Sequence, residues 1–294
     1  MQPGLARVSI AIFGASGFLG GHVFRYFEAH GTRVIGTFRS CQKPRLIPFT
    51  LNRHEINLEF IPANCSYAII ASGNANVDYH KVHPEECERE IDGTKLLIGA
   101  LLQRGITPVY LSTDYVFEGT AGNYRETDPT RPTTSYGRNK LAIERHLKGL
   151  GDEYLIVRIG KVYGTRFEDR SVILDIVNAL RTGEEARCAY DQLYSPTLIE
   201  DVVLGIAKLI ETGARGIFHL SNHEVMSPYE LANKIKSSIP GCGGMIRPWS
   251  IKDVNLCEER PLNTTLNSEK LSALAPFRYQ SVDQSLMEIR DRYF

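Results

Sequence analysis

Tyr136 and Lys140 stand four residues apart in Tyr136-Gly137-Arg138-Asn139-Lys140. In a helix that spacing puts both side chains on one face. A free tyrosine titrates near about 10, too high for acid–base work at neutral pH. A neighbouring ammonium favours the phenolate and lowers that value, so the pair can move a proton. Alone, the spacing recurs by chance, and an ordinary surface pair on a helix reads the same way. It gains weight from Ser112-Thr113-Asp114, which follows an apolar strand-like run. Open α/β sheets hold ligands at the carboxyl ends of their strands, and a hydroxyl there can polarise a carbonyl oxygen by hydrogen bonding.

A second constellation is Gly14-Ala15-Ser16-Gly17-Phe18-Leu19-Gly20, between a strand-like and a helix-like run. Glycines at such a turn allow tight dihedrals and close approach of the backbone to a pyrophosphate. The helix N-terminus adds free N–H groups and a favourable dipole. Gly14, Ser16, Gly17, Phe18, Leu19 and Gly20 are therefore candidate dinucleotide contacts, although the order is G-x-x-G-x-x-G rather than G-x-G-x-x-G. The end of the next strand reads the adenosine ribose: an acid there binds the 2′-hydroxyl, and an Arg accommodates a 2′-phosphate. Here the run is Gly36-Thr37-Phe38-Arg39-Ser40, followed by Lys43 and Arg45, with no acid between Arg33 and Arg53. NADP(H) is expected over NAD(H), with Arg39 on the phosphate and Ser40 adding a hydroxyl.

These residues need a scaffold. Strand-like runs at 7–13, 33–38, 66–72, 107–112 and 154–159 alternate with helix-like runs at 18–30, 84–104 and 135–150. Continuous apolar strands alternating with helices predict a Rossmann-type doubly wound parallel sheet, an α/β fold covered on both faces. The stretch 42–64 is expected to hold a short third strand. Beyond it, 171–182, 199–212 and 227–238 read as helical, 216–220 as a strand and 237–248 as turn-rich. The expected division is a cofactor domain of residues 1–164 plus about 196–222, and a smaller α/β C-terminal substrate-binding lobe of about 165–195 and 223–294.

Composition narrows the function class. The 294 residues carry 34 Lys+Arg against 34 Asp+Glu, with 43% hydrophobic and 23% charged residues. That excludes a disordered chain and argues against a strongly basic nucleic-acid binder. No apolar run approaches the roughly 20 residues of a membrane span. Residues 1–7 lead straight into a strand-like run, so no signal peptide is expected. Cys41, Cys65, Cys87, Cys188, Cys242 and Cys257 form no C-x-x-C pair, and the 8 histidines are dispersed. Reduced thiols, no metal site and a cytoplasmic location follow as expectations.

The combination G-A-S-G-F-L-G, S-T-D-Y-V-F at 112–117 and Y-G-R-N-K resembles the extended short-chain dehydrogenase/reductases, most closely the dTDP-4-dehydrorhamnose reductase family. The likeness extends to Arg125-Glu126-Thr127-Asp128-Pro129, to Asp191-Gln192-Leu193-Tyr194-Ser195-Pro196-Thr197 and to Arg260-Pro261-Leu262-Asn263-Thr264-Thr265-Leu266. It implies NADPH-dependent reduction of the C4 ketone of a nucleotide-linked 6-deoxy sugar, in deoxysugar biosynthesis. Tyr136 is then the proton donor, Lys140 tunes it and holds the cofactor ribose, and Thr113 binds the carbonyl oxygen. It further implies cofactor contacts at Ala71, Ser72, Gly73 and Ser112. Substrate contacts are implied at Asp114, Tyr115, Val116, Gln192 and Arg260, beside Thr113 and Tyr136. The implied partner is a nucleotide sugar, with no nucleic acid polymer and no membrane, in a homodimer.

Some positions depart from the family pattern. Phe13 stands where a Thr is usual, Asp92 falls near a customary Asn, and residues 72–78 are unusually polar. These leave the nucleotide and the sugar open. Two other readings stand beside the reductase. A nucleotide-sugar epimerase or dehydratase of the same superfamily is disfavoured by Arg39 and by the D-Q-x-x-x-P-T segment. A non-catalytic NADP-binding regulatory subunit resembling the methionine adenosyltransferase β-subunit also keeps Y-x-x-x-K and an Arg-rich turn after its second strand.

Overall fold

The computed structural model describes residues 8–169 and 171–294, so the expected strand residue Arg7 lies outside the described chain. The apolar run after it forms β1 (Ser9–Phe13), buried along its whole length. The glycine turn leads into α1 (Phe18–Ala29). Then come β2 (Arg33–Phe38), the short β3 (Leu46–Pro48) expected within 42–64, and β4 (Cys65–Ile70). The helices α2 (Val77–Val82) and α3 (Pro84–Gln103) lead to β5 (Thr107–Thr113), and α4 (Ser135–Gly149) to β6 (Leu155–Ile159). Strand and helix types agree with the sequence, and most bounds shift by one or two residues, as fraying ends do.

The remaining chain is β7 (Val162–Tyr163), α5 (Val172–Thr182), β8 (Ala186–Ala189), β9 (Thr197–Leu198), α6 (Ile199–Glu211), β10 (Gly216–Leu220), α7 (Pro228–Ser238), β11 (Ile246–Trp249), α8 (Glu269–Leu274) and α9 (Val282–Tyr293). The sequence did not reveal α2, α8 or α9, nor β7, β8, β9 and β11, the last of which begins inside the stretch read as turn-rich. The first two helices are only six residues long, too short for a periodic apolar stripe. The last is set by a local cap: Ser281 and Gln284 close a capping box.

The sheet has seven strands in the order β10-β6-β5-β4-β1-β2-β3, and every pairing in it is parallel. The order reverses between β1 and β4, where the glycine turn emerges. Alternate residues of β1 go to opposite faces, as a strand requires. Ile10 and Ile12 pack with Val23 and Phe27 of α1 and with α6, while Ala11 and Phe13 pack with Leu97, Ile98 and Leu101 of α3 and Ile143 and Leu147 of α4. A separate buried cluster gathers α5, α7, α9, β8 and Tyr163. The interleaving goes further than expected from sequence, because Leu271 of α8 joins the sheet cluster and Leu266 packs with Val116, Phe117, Tyr124 and Leu141.

Candidate active site

A cleft of about 560 Å³ runs along the carboxyl ends of the strands, from the glycine turn to the second apolar cluster. Its walls include Gly17, Phe18, Leu19 and Gly20, the loop Ala71-Ser72-Gly73-Asn74, then Ser112 through Tyr115, and Tyr136 with Lys140.

Backbone geometry explains the glycines. Gly14 has φ +89, and a Cβ on it would sit 2.8 Å from the Ser72 amide nitrogen. A Cβ on Gly20 would lie 2.3 Å from the Gly14 carbonyl oxygen. The two therefore let α1 close onto β1 and the β4 loop. Gly17 caps α1 with no side-chain hydrogen bond, and the first turn holds no acid. The first-turn amides are thus left for an anion at the cleft.

Thr134 caps α4 through the Gly137 amide, which fixes where the helix starts and turns Tyr136 and Lys140 into the cleft. Thr113, at the end of β5, lines the same cleft wall as Tyr136. It also donates to Asp114 at 3.0 Å and accepts from the Tyr115 amide at 3.2 Å. Lys140 Nζ donates to the Leu111 carbonyl at 3.0 Å and lies 6.0 Å from the centre of the Tyr136 ring. One expectation is corrected here. Enclosure pushes Tyr136 up to about 12, with the neighbouring Thr113 hydroxyl pulling the other way and the Asp114 charge adding to the rise. Burial also draws Lys140 down to about 8, against the pull of Glu144 and Glu90, which leaves it largely an ammonium at neutral pH. Burial likewise raises Asp114 to about 6 despite hydrogen bonds from Thr264 and Thr113.

Other expected residues sit differently. Ser112 donates its hydroxyl to Glu144 at 2.5 Å, so its side chain is turned to the core. Val116 is wholly buried in an apolar cluster and presents no side chain to the cleft. Gln192 reaches the wall and donates to the Pro261 carbonyl at 3.1 Å. Arg260 is held by Asp78 at 2.7 Å and by the Glu258 carbonyl at 3.0 Å, with no part in the cleft wall. Arg39 lies at the end of β2, 64% exposed and 2.6 Å from Glu90, with Ser40 exposed beside it. Lys43 donates to the Ser16 carbonyl at 2.8 Å, bringing a second cation to the glycine turn.

Sequence reasoning missed a buried network under the site. Arg158 of β6 donates to both oxygens of Glu144, through Nε at 3.0 Å and Nη2 at 2.7 Å. Its other nitrogen lies 3.3 Å from His219, whose Nδ1 reaches the Tyr124 carbonyl at 3.0 Å. Both charged side chains are 3% exposed or less. Two signals were available. Glu144 continues the Tyr136–Lys140 face by another four residues, and Arg158 is a lone charge inside an apolar strand, which requires a partner.

Residues 8–294 match the family described as the RmlD substrate binding domain. The chain belongs to that family. Among its relatives is the probable low-salt glycan biosynthesis reductase Agl14 of Haloferax volcanii, 27% identical over 270 residues, covering 87% of this chain and 88% of that protein. Another is the β-subunit of methionine adenosyltransferase 2 from Bos taurus, 26% identical over 286 residues, covering 92% and 84%. A hypothetical dTDP-4-dehydrorhamnose reductase from Sulfolobus tokodaii superposes with a TM-score of 0.83 at 25% identity, covering 95% and 99%. The corresponding reductase of Bacillus anthracis, solved in complex with NADP, gives 0.80 at 23%, covering 97% and 99%. Solved structures of the same fold contain NADP, as in Bacillus anthracis, or NAD. The residues here fit a nicotinamide dinucleotide: the α1 amides are uncapped at the cleft, and the Ser72 hydroxyl in its wall has no partner among the described residues. Among the described residues, no helix is long and apolar enough to cross a membrane.

Proposed function

We propose that this protein is an NADPH-dependent reductase of the C4 ketone of a nucleotide-linked 4-keto-6-deoxy sugar. The observation that carries the reading is the convergence of the Thr113 and Tyr136 hydroxyls and Lys140 on one cleft that also receives the glycine turn. A hydroxyl pair of this kind can grip one carbonyl oxygen from two sides. When bound, the nicotinamide supplies the hydride.

Thr113 positions the ketone oxygen and polarises it. Tyr136 gives that oxygen its proton as negative charge develops. Its high affinity for the proton keeps it in the donor form while the cleft waits. Lys140 holds the ribose hydroxyls and, as an ammonium, favours the resulting phenolate. The loop of Ala71, Ser72 and Gly73 and the first turn of α1 hold the dinucleotide. Arg39, Lys43 and Ser40 stand where a 2′-phosphate has to be met. Gln192 and Asp114 face the sugar. The apolar cluster of α5, α7 and α9 supports a separate substrate lobe across the cleft.

The decisive experiment follows NADPH absorbance with a panel of nucleotide-linked 4-keto-6-deoxy sugars made in situ, with NADH in parallel. Oxidation with one member is expected and would identify the nucleotide. Tight NADPH binding with no oxidation by any member favours the second reading, a regulatory subunit, which the similarity to the methionine adenosyltransferase β-subunit supports. Copurification with a larger catalytic partner would then decide it.

A further inference from the structure

His80 lies on α2, 7% exposed, between the β4 loop and α4. Its Nε2 is 2.7 Å from the carbonyl oxygen of Asn74, and its Nδ1 is 3.0 Å from the side-chain nitrogen of Asn139. A carbonyl only accepts, so Nε2 carries the hydrogen. Nδ1 is then the acceptor and takes a hydrogen from the Asn139 amide. The ring is therefore neutral, in agreement with the burial that lowers its pKa. The charged groups that bear on it are Lys140, Glu90 and Glu258. The imidazole also meets the Tyr136 ring edge-on, with centroids 5.0 Å apart.

A buried histidine with both nitrogens satisfied is usually a core residue and nothing more. Here every partner belongs to the proposed machinery. Asn74 continues the cofactor loop of Ala71, Ser72 and Gly73, and lines the cleft itself. Asn139 lies between Tyr136 and Lys140 on the same helix. The third contact is the Tyr136 ring. Both polar contacts are directional, so they fix the loop relative to the helix more tightly than apolar packing can.

We propose that His80 is a positioning residue: it pins the cofactor loop to the helix bearing Tyr136 and Lys140, and sets the Tyr136 ring against the bound dinucleotide. The assignment rests on the reductase reading above, and its test separates the two.

His80→Gln keeps an N–H near the Nε2 position for Asn74 and loses the acceptor for Asn139. His80→Asn keeps that acceptor and loses the bond to Asn74. His80→Phe keeps the ring and loses both. NADPH dissociation constants come from fluorescence titration, and kcat and KM from whichever panel sugar the wild type reduces. His80→Gln is expected to bind NADPH within about twofold of wild type. His80→Asn and His80→Phe are expected to weaken it by about tenfold, the worth of one net buried hydrogen bond. For His80→Gln, kcat is expected to fall about tenfold with KM for the sugar held. Asn139→Leu breaks the same bond from the helix side with the His80 ring kept in place, and is expected to reproduce the kcat loss with KM for the sugar held. Wild-type NADPH affinity and kcat in all four variants would overturn the role of His80 and leave the reductase reading intact. Failure of the wild type to bind NADPH at all would overturn both.

Discussion

Tyr136 is held where ionisation is opposed, which suits a group that must arrive protonated. Tyr136→Phe removes the proton donor and little else, so turnover is expected to fall by about 10²- to 10⁴-fold while NADPH affinity, read by fluorescence titration, stays within about twofold. Retained turnover removes Tyr136 from that role. Arg39→Ala tests the ribose end. A lost charge-assisted contact is worth about 1.5–3 kcal/mol, so NADPH should weaken by roughly tenfold or more and NADH should not. Equal weakening of both cofactors sinks the 2′-phosphate assignment. Asp114 gives a pH signature. Its carboxyl, raised to about 6 by burial, holds a proton more tightly folded than unfolded. The unfolded chain therefore ionises first as pH climbs. Stability falls from about pH 4 to about pH 6, by up to about 3 kcal/mol, and is level above. Asp114→Asn lacks that slope. Its melting temperature relative to wild type is expected to rise across the window, and a constant difference refutes the assignment. At this scale the sequence was readable wherever spacing implied contact, as for Tyr136 with Lys140. It could not fix the partner of Arg260, expected at the substrate, because a cation facing an anionic substrate and one facing Asp78 of α2 are written with the same letter.

The strands and long helices were legible because their patterns are local. β1, β5 and β6 are continuous apolar runs that a sheet covered on both faces requires, and α4 was read from the helix-like run 135–150 that carries the Tyr136–Lys140 spacing. Pairings between elements were not legible. Glu144 and Arg158 come from α4 and β6 and meet only after the sheet has formed, as do His80 and Asn74 across the β4 loop. The buried ion pair carries its own prediction. Glu144→Gln leaves the Arg158 guanidinium enclosed without an anion and is expected to cost about 3–5 kcal/mol in denaturant unfolding. Replacing both, Glu144→Gln with Arg158→Met, is expected to recover much of that loss, since the second charge no longer needs a partner. A double variant as unstable as the sum of its parts would place the stabilising work elsewhere in the network, at Ser112 or His219.

In the whole molecule the cleft joins two apolar clusters that do not merge. A dinucleotide seated there is bound by the folded chain and not by the unfolded one. NADPH at about a hundredfold above its dissociation constant is expected to add about 2.7 kcal/mol to stability, seen as a rise in melting temperature that grows with concentration. No rise at saturating NADPH would argue against the site. The margins of the sheet carry a different consequence. At one margin, β3 is three residues long and ends at Pro48, which has no N–H to offer. At the other, Lys270 of α8 donates to the Ile217 carbonyl at 2.6 Å, occupying an acceptor that β10 would otherwise show to a neighbour. A parallel sheet with exposed ends invites another chain to extend it. Both margins of this sheet are blunted, which disfavours the pairing of copies along them through their backbones.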